Sequence, residues 1–377
     1  MPPKNSAAWL PAKCVQPLEV GPARYTPPGA KEIVVKNGAV AINPVDWAKQ
    51  LLGDALLSYI RYPCILGGDI AGEVVEVGVD VQRFEVGDRV LGHAMSTAPA
   101  SNNPTEGGFQ QYTIIREYFA AAIPDWISYE QACVLPLTLS TAAYGLFHED
   151  FLALDPPFVP APSLTANSKA IIITGGASSV GSNAVQLAAS AGYQVYSTAS
   201  PKNFSYVKKL GATRVFDYHS SSLVEDMVAE LQGRTLAGAY AIGNGSVEAC
   251  SQVLRRCNGN SKKFIALAGF PLPAQMFTTY VGTAFFFVST MWWMGSTAVM
   301  SYFTGVTTKF IDGKDLCKED NVVSRLVYRD FLPLALASRQ FVPAPEPLVV
   351  GRGLDKIQEA LNIQQKGVSA QKVVVLL

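Results

Sequence analysis

Ala170-Ile171-Ile172-Ile173-Thr174-Gly175-Gly176-Ala177-Ser178-Ser179-Val180-Gly181 is the stretch on which the fold turns. Its opening is a continuous apolar run, as a strand buried on both faces of a parallel sheet requires. A Gly-rich turn follows, then a helical stretch over 182–191 and a second strand, Gln194-Val195-Tyr196-Ser197-Thr198. Glycines in such a turn let the backbone approach a pyrophosphate, whose charge sits against the free N–H groups of a helix N-terminus. The turn is not a strict G-x-G-x-x-G. What carries the assignment is its place after a strand and before a helix, with the next strand about twenty residues on. A merely tight turn is the alternative reading. Strand-like 214–216, 239–242 and 264–267 then alternate with helix-like 203–210, 223–231 and 247–256, which predicts a doubly wound α/β domain.

The end of the second strand decides the nucleotide. An NAD site places Asp or Glu there for the ribose 2′-hydroxyl. Here the residues are Thr198-Ala199-Ser200-Pro201-Lys202-Asn203, without a carboxylate. A cation and hydroxyls suit a 2′-phosphate, so the expected cofactor is NADP(H). The alternative is a solvated Lys202 at a helix start.

Upstream, about the first 130 residues read as β-rich, with strands at 34–40, 72–78 and 88–91 punctuated by Gly29, Gly53, Gly67-Gly68, Gly87 and Gly107-Gly108. A Pro-rich stretch, 151–169, reads as a loop between domains, and a helix at 354–364 and strand at 372–377 return to the first domain. The chain's 377 residues suggest two domains, with 49% hydrophobic, 16% charged and 10% aromatic residues. Thirty Lys and Arg balance thirty Asp and Glu, which argues against nucleic acid or a polybasic membrane surface as partner, and the apolar content argues against disorder. Six cysteines are scattered with no C-x-x-C pair, the three histidines are far apart, and the N-terminal stretch lacks the apolar core of a signal peptide, so a cytoplasmic protein without disulfides is expected. Residues 264–308 carry no Lys, Arg, Asp, Glu or His. A membrane span, a buried helix, an apolar ligand wall and a subunit contact all suit that composition. Interrupting Gly282 and Gly295 and the lack of a flanking basic cluster favour the non-membrane readings.

Several motifs occur in one order: Asn43-Pro44-Val45-Asp46-Trp47 with Lys49; Gly67-Gly68-Asp69-Ile70-Ala71-Gly72; Phe84-x-x-Gly87-Asp88-Arg89-Val90; and Gly107-Gly108-Phe109-Gln110-Gln111-Tyr112. Over nearly the whole chain these resemble the medium-chain dehydrogenase/reductase superfamily, in its zinc-independent quinone reductase and enoyl reductase branch. Ser200-Pro201-Lys202-Asn203 is similar to the corresponding loop of stand-alone enoyl reductases that serve fungal polyketide synthases in trans. The resemblance implies a GroES-like β-barrel domain over 1–135 with 330–377, a Rossmann NADP-binding domain over 136–329, and a site in the cleft between them. It also implies that Val45, Asp46, Trp47 and Lys49 line the nicotinamide side, joined by Leu267, Ala268, Val349 and Val350. Ala177, Ser178, Ser179, Val180 and Gly181 would hold the pyrophosphate. Ser200, Pro201, Lys202, Asn203 and Tyr218 would hold the adenosine end. Pro136, Leu137, Thr138, Leu139, Ser140 and Thr141 would border cofactor and substrate; an ordinary helix start in the core is the other reading of that stretch.

Where zinc-dependent members carry a cysteine ligand, this sequence has Asp46, and their Gly-His-Glu motif is Gly68-Asp69-Ile70; no Cys occurs in 94–107. Without soft ligands at tetrahedral spacing no zinc site is expected. The chemistry implied is hydride transfer to the β-carbon of an α,β-unsaturated thioester, with negative charge developing on the thioester oxygen. Lys49 and Thr138 are candidate donors to that oxygen, against a structural ion pair for Lys49. Tyr280, Phe285 and Phe286, with Phe277, Met291 and Trp292, are candidates for an acyl-chain wall, against core packing. Three functions remain open: an NADPH-dependent enoyl reductase with a polyketide synthase as partner, a reductase of free enones or quinones, and a non-reducing cofactor-binding protein.

Overall fold

A computed structural model describes residues 3–257, 261–269, 301–312 and 321–377, together with Gly282, Val288, Met291 and Gly295. The chain divides into two units, Met1–Ser140 with Lys314–Leu377, and Thr141–Gly313.

The second unit is built on a parallel sheet of six strands among the described residues. Across the sheet they run Ala212–Asp217, Gln194–Ala199, Ala170–Ile173, Leu236–Ala241, Phe264–Leu267 and Thr307–Phe310. In sequence terms the order is third, second, first, fourth, fifth, sixth, the doubly wound order, and the direction of winding reverses between Ala170–Ile173 and Leu236–Ala241. Ile171, Ile172 and Ile173 are fully buried, which is why that strand tolerates no polar alternation. The helix after the Gly-rich turn spans Ser179–Ser190, three residues earlier than the sequence pattern suggests. Ser178 caps it, its Oγ accepting from the Gly181 N–H at 3.0 Å, so the first turn of helix lies inside the Gly-rich stretch. No helix or strand intervenes between Phe147 and Ala170, where the prolines cluster.

In the first unit, a seven-stranded sheet runs in the order Glu346–Arg352, Gln371–Leu376, Glu32–Ala41, Asp69–Val77, Arg89–His93 and Ala120–Ala122, with Tyr112–Arg116 also paired to Glu32–Ala41. A three-stranded sheet, Glu19–Ala23, Asn5–Leu10 and Cys64–Ile65, accompanies it. Gly72 is required where strands approach, since a Cβ there would stand 2.0 Å from the Lys36 carbonyl oxygen. The stretches Pro44–Lys49 and Pro136–Thr141 fall in the helices Pro44–Leu52 and Pro136–Phe147.

Residues 322–337 form one helical run: α over Val322–Ser324, π over Arg325–Phe331, α again over Leu332–Ala337. Pro333 lies in that last piece, has no N–H and would clash with the carbonyl four residues back in a regular α-helix. The wider π turns just before it relieve that conflict. The resemblance puts 321–329 with the nucleotide domain. They group instead with the barrel strands, because Arg83 donates to the Tyr328 carbonyl at 2.9 Å as well as to the Glu117 and Ala120 carbonyls.

Among the described residues no helix is long and apolar enough to cross a membrane. The acyl-wall candidates Phe277, Tyr280, Phe285, Phe286 and Trp292 lie outside the described residues, whereas Met291 is largely exposed.

Candidate active site

In the nucleotide unit, the turn after Ile173 is held by main chain. The Gly176 N–H donates to the Thr198 carbonyl at 2.9 Å, and the Gly175 N–H donates to Thr198 Oγ1 at 3.0 Å. A Cβ at Gly181 would stand 2.1 Å from the Gly175 oxygen, so only glycine lets helix and turn meet here. Ala177, Ser178, Ser179 and Val180 remain half-buried at the helix N-terminus, where an α-helix leaves N–H groups without helical partners. That terminus sits beside the point where the sheet reverses its winding, the place such sheets bind nucleotides. These residues fit a dinucleotide pyrophosphate.

Beyond the second strand, Pro201–Asn203 forms a short 3-10 turn. Asn203 donates through Nδ2 to Ser200 Oγ at 3.2 Å, and Lys202 projects exposed beside them. Tyr218 is half exposed and its ring lies 4.0 Å from that of His219. The carboxylate nearest in sequence, Asp217, ends the third strand rather than the second and accepts from the His219 N–H at 3.0 Å. Leu267 and Ala268 are buried, Ala268 donating its N–H to the Ala241 carbonyl.

The barrel unit gathers its polar residues into a buried network. The Lys372 ammonium stands 2.8 Å from Asp69 Oδ2 and donates to Asn43 Oδ1. Asn43 Nδ2 donates to the same Asp69 oxygen at 2.8 Å, and Asp69 Oδ1 accepts from the Leu137 N–H at 2.6 Å. Asp46 accepts from the main-chain N–H groups of Asn43 at 2.7 Å and Gly67 at 3.2 Å. Burial pushes its carboxyl up to about 7, against the pull of those N–H donors and with Asp69 adding to the rise. On the neighbouring strand His93 Nδ1 lies 2.9 Å from Ser140 Oγ, and burial pushes that imidazole down to about 4.

This geometry changes the roles expected of two residues. Lys49 is fully buried and its ammonium donates to the carbonyls of Gly53, Leu56 and Leu57, each at 3.0 Å. An ammonium has three hydrogens, so Lys49 has none left for a thioester oxygen, and it braces the loop after its own helix. The Thr138 hydroxyl donates back to the Leu135 carbonyl at 3.0 Å, which commits its hydrogen too. Trp47 is buried, with its indole N–H bonded to Gln364 Oε1. Val45, Leu137 and Val350 are half-buried and Val349 is exposed, whereas Leu139 and Ser140 are buried. In the other unit the Thr141 carbonyl receives the Tyr240 hydroxyl at 2.9 Å.

Sequence reading did not single out His93, Tyr328 or Lys372. Only Lys372 left a signal, a lone cation ahead of Val373-Val374-Val375-Leu376. His93 and Tyr328 have no local pattern, because their partners lie far away in the chain.

Residues 29–125 match the alcohol dehydrogenase GroES-like domain. The chain is 48% identical to the dehydrogenase pigH of Monascus ruber over 377 residues, covering all of both. It is 37% identical to the trans-enoyl reductase himH of Aspergillus japonicus, covering 98% of this chain and 97% of that protein. In fold it is similar to the crystal structure of the CurK enoyl reductase, with a TM-score of 0.69 at 20% identity and 99% of each chain covered. The barrel sheet, the doubly wound nucleotide sheet and these full-length likenesses agree, and the chain belongs to the medium-chain dehydrogenase/reductase superfamily, in the branch holding fungal dehydrogenases and trans-enoyl reductases.

Proposed function

We propose that this oxidoreductase is an NADPH-dependent enoyl reductase that acts in trans on α,β-unsaturated thioesters built by a polyketide synthase. The observation that carries the cofactor assignment is the turn Ser200–Asn203, with an exposed cation and a hydroxyl-amide pair where an NAD site needs a carboxylate. Likeness to a named trans-enoyl reductase over almost the full chain supports the substrate class.

A bound nicotinamide supplies the hydride, and the chain's residues orient and enclose what receives it. Ala177–Gly181 hold the pyrophosphate; Ser200, Lys202 and Asn203 hold the 2′-phosphate, with Tyr218 at the adenosine end. With the nicotinamide bound, hydride would add at the β-carbon, charge would develop on the thioester oxygen, and a proton would then be needed at the α-carbon. Since Lys49 and Thr138 have their hydrogens committed, solvent is the proton source in this reading.

The reaction proceeds without a Lewis-acid metal. Asp46 and Asp69 stand where zinc-dependent members carry ligands, and their oxygens are engaged by N–H groups and the Lys372 ammonium. A catalytic zinc would need three free protein ligands around an open position.

Purified protein with NADPH and a short α,β-unsaturated acyl thioester should oxidise the cofactor, faster than with NADH or with a simple quinone as acceptor. Preference for the quinone would move the protein to free-quinone reduction. Faster turnover with NADH would overturn the reading of Ser200–Asn203, whichever acceptor won.

A further inference from the structure

Beside the Asp69–Lys372 pair, polar atoms form a line whose direction chemistry fixes. The Tyr328 hydroxyl lies 2.7 Å from the Pro136 carbonyl oxygen and 2.8 Å from Ser140 Oγ, which in turn lies 2.9 Å from His93 Nδ1. A carbonyl only accepts, so the single phenolic hydrogen goes to Pro136. Ser140 must then give its own hydrogen to Tyr328, and Ser140 Oγ must receive one from His93 Nδ1. Exposure of these side chains is 6% for His93, 3% for Ser140 and 1% for Tyr328, so the line is closed to bulk water.

The line grips one structural element. Pro136, Leu137 and Ser140 form the first turn of the helix Pro136–Phe147, and each is held from elsewhere: Pro136 and Ser140 by Tyr328, Leu137 by Asp69, Ser140 by His93. Tyr328 itself is fixed in the π-helical segment, with its carbonyl taken by Arg83. π-Helical turns are rare and occur often at functional sites.

We infer that His93, in its neutral Nδ1–H tautomer, and Tyr328 are positioning residues that set residues 136–141 through Ser140, making Ser140 a relay rather than a donor to substrate. The inference rests on the reductase reading for its kinetic consequence, since that segment is the one expected to border cofactor and substrate. Its hydrogen-bond direction does not depend on that reading. Burial that disfavours the charged imidazole agrees with a neutral ring.

Long-range 1H–15N NMR of histidine-labelled full-length protein reads the tautomer without any turnover, with His93→Asn assigning the signal among three histidines. Nδ1 should be protonated and Nε2 not; the reverse overturns the inference. In kinetics, His93→Asn places an amide nitrogen where Nδ1 stood and should keep kcat within about threefold, whereas His93→Gln reaches toward Nε2 instead and should lose on the order of tenfold. Tyr328→Phe should lower kcat by a similar factor, about tenfold, with the KM for NADPH changing less than about twofold. Equal effects of Asn and Gln, or a loss in Tyr328→Phe wholly explained by a smaller folded fraction, would overturn the positioning role. If wild-type protein reduces neither thioester nor quinone, the reductase reading fails while the tautomer still decides the direction of the line.

Discussion

Two helix N-termini, one in each unit, differ in what meets their N–H groups. At Ser179 the helix begins inside a Gly-rich turn, its entry residues are half-buried, and its one side-chain cap, Ser178, comes from the adjoining residue. At Pro136 the Leu137 N–H is taken by Asp69, a carboxylate 68 positions away that is itself paired with Lys372. An N-terminus that keeps free N–H groups beside glycine is suited to an anionic ligand. One capped by a buried carboxylate is already satisfied by its own chain, and its use is to be held still. Helix ends are therefore not equivalent binding sites. What surrounds the N–H groups decides.

Breaking the satisfied terminus should produce the largest effect. Lys372→Met leaves Asp69 buried and without its cation, and is expected to cost about 3–5 kcal/mol of stability, measured by urea unfolding. Asp69→Asn added to it should recover most of that loss. A single variant as stable as wild type would show that the pair does not hold the Pro136 turn.

Next comes pH. Asp46 is raised from 3.8 to about 7, so the folded chain keeps that proton where the unfolded chain has lost it, and its contribution makes stability fall as pH rises through that window. His93 is lowered from 6.5 to about 4, so the unfolded chain takes up a proton first as pH drops, and its contribution makes stability rise with pH between those values. The two oppose each other between about pH 4 and 6.5. Asp46→Asn removes one of them, and unfolding free energy should then climb more steeply from pH 5 to 6.5, by up to about 1.4 kcal/mol per pH unit. Equal slopes in wild type and variant would remove Asp46 from the account.

Smallest in stability is the turn Pro201–Asn203, at the end of the strand that follows the Gly-rich helix. Lys202 is exposed, so Lys202→Ala should change unfolding free energy by less than about 0.5 kcal/mol. It should nevertheless weaken NADPH binding by about tenfold and NADH binding hardly at all, since only the 2′-phosphate gives the ammonium a charged partner. Equal weakening of both, by calorimetry, would separate Lys202 from the phosphate.

Legibility in the sequence follows the same divide. The strand Ala170–Ile173, the turn after it and the loop Ser200–Asn203 are each read from a few adjacent residues, because glycine freedom, apolar runs and the absence of a carboxylate are local properties. The order of the MDR motifs made the barrel legible too. Lys49 misled, because a lysine near a motif looks like a donor until its three carbonyl partners are counted. Pro333 is visible in the sequence, but only the helix on either side of it shows that π turns answer it.

By itself, then, the sequence determined the α/β class and the Gly-rich turn between strand and helix, since these depend on neighbours in the chain and on backbone freedom. Only the tertiary structure decided which polar side chains are still available for chemistry. Hydrogen-bonding capacity is finite, and at Asp69, Ser140, the Nδ1 of His93 and the Lys372 ammonium it is engaged by partners tens to hundreds of positions away.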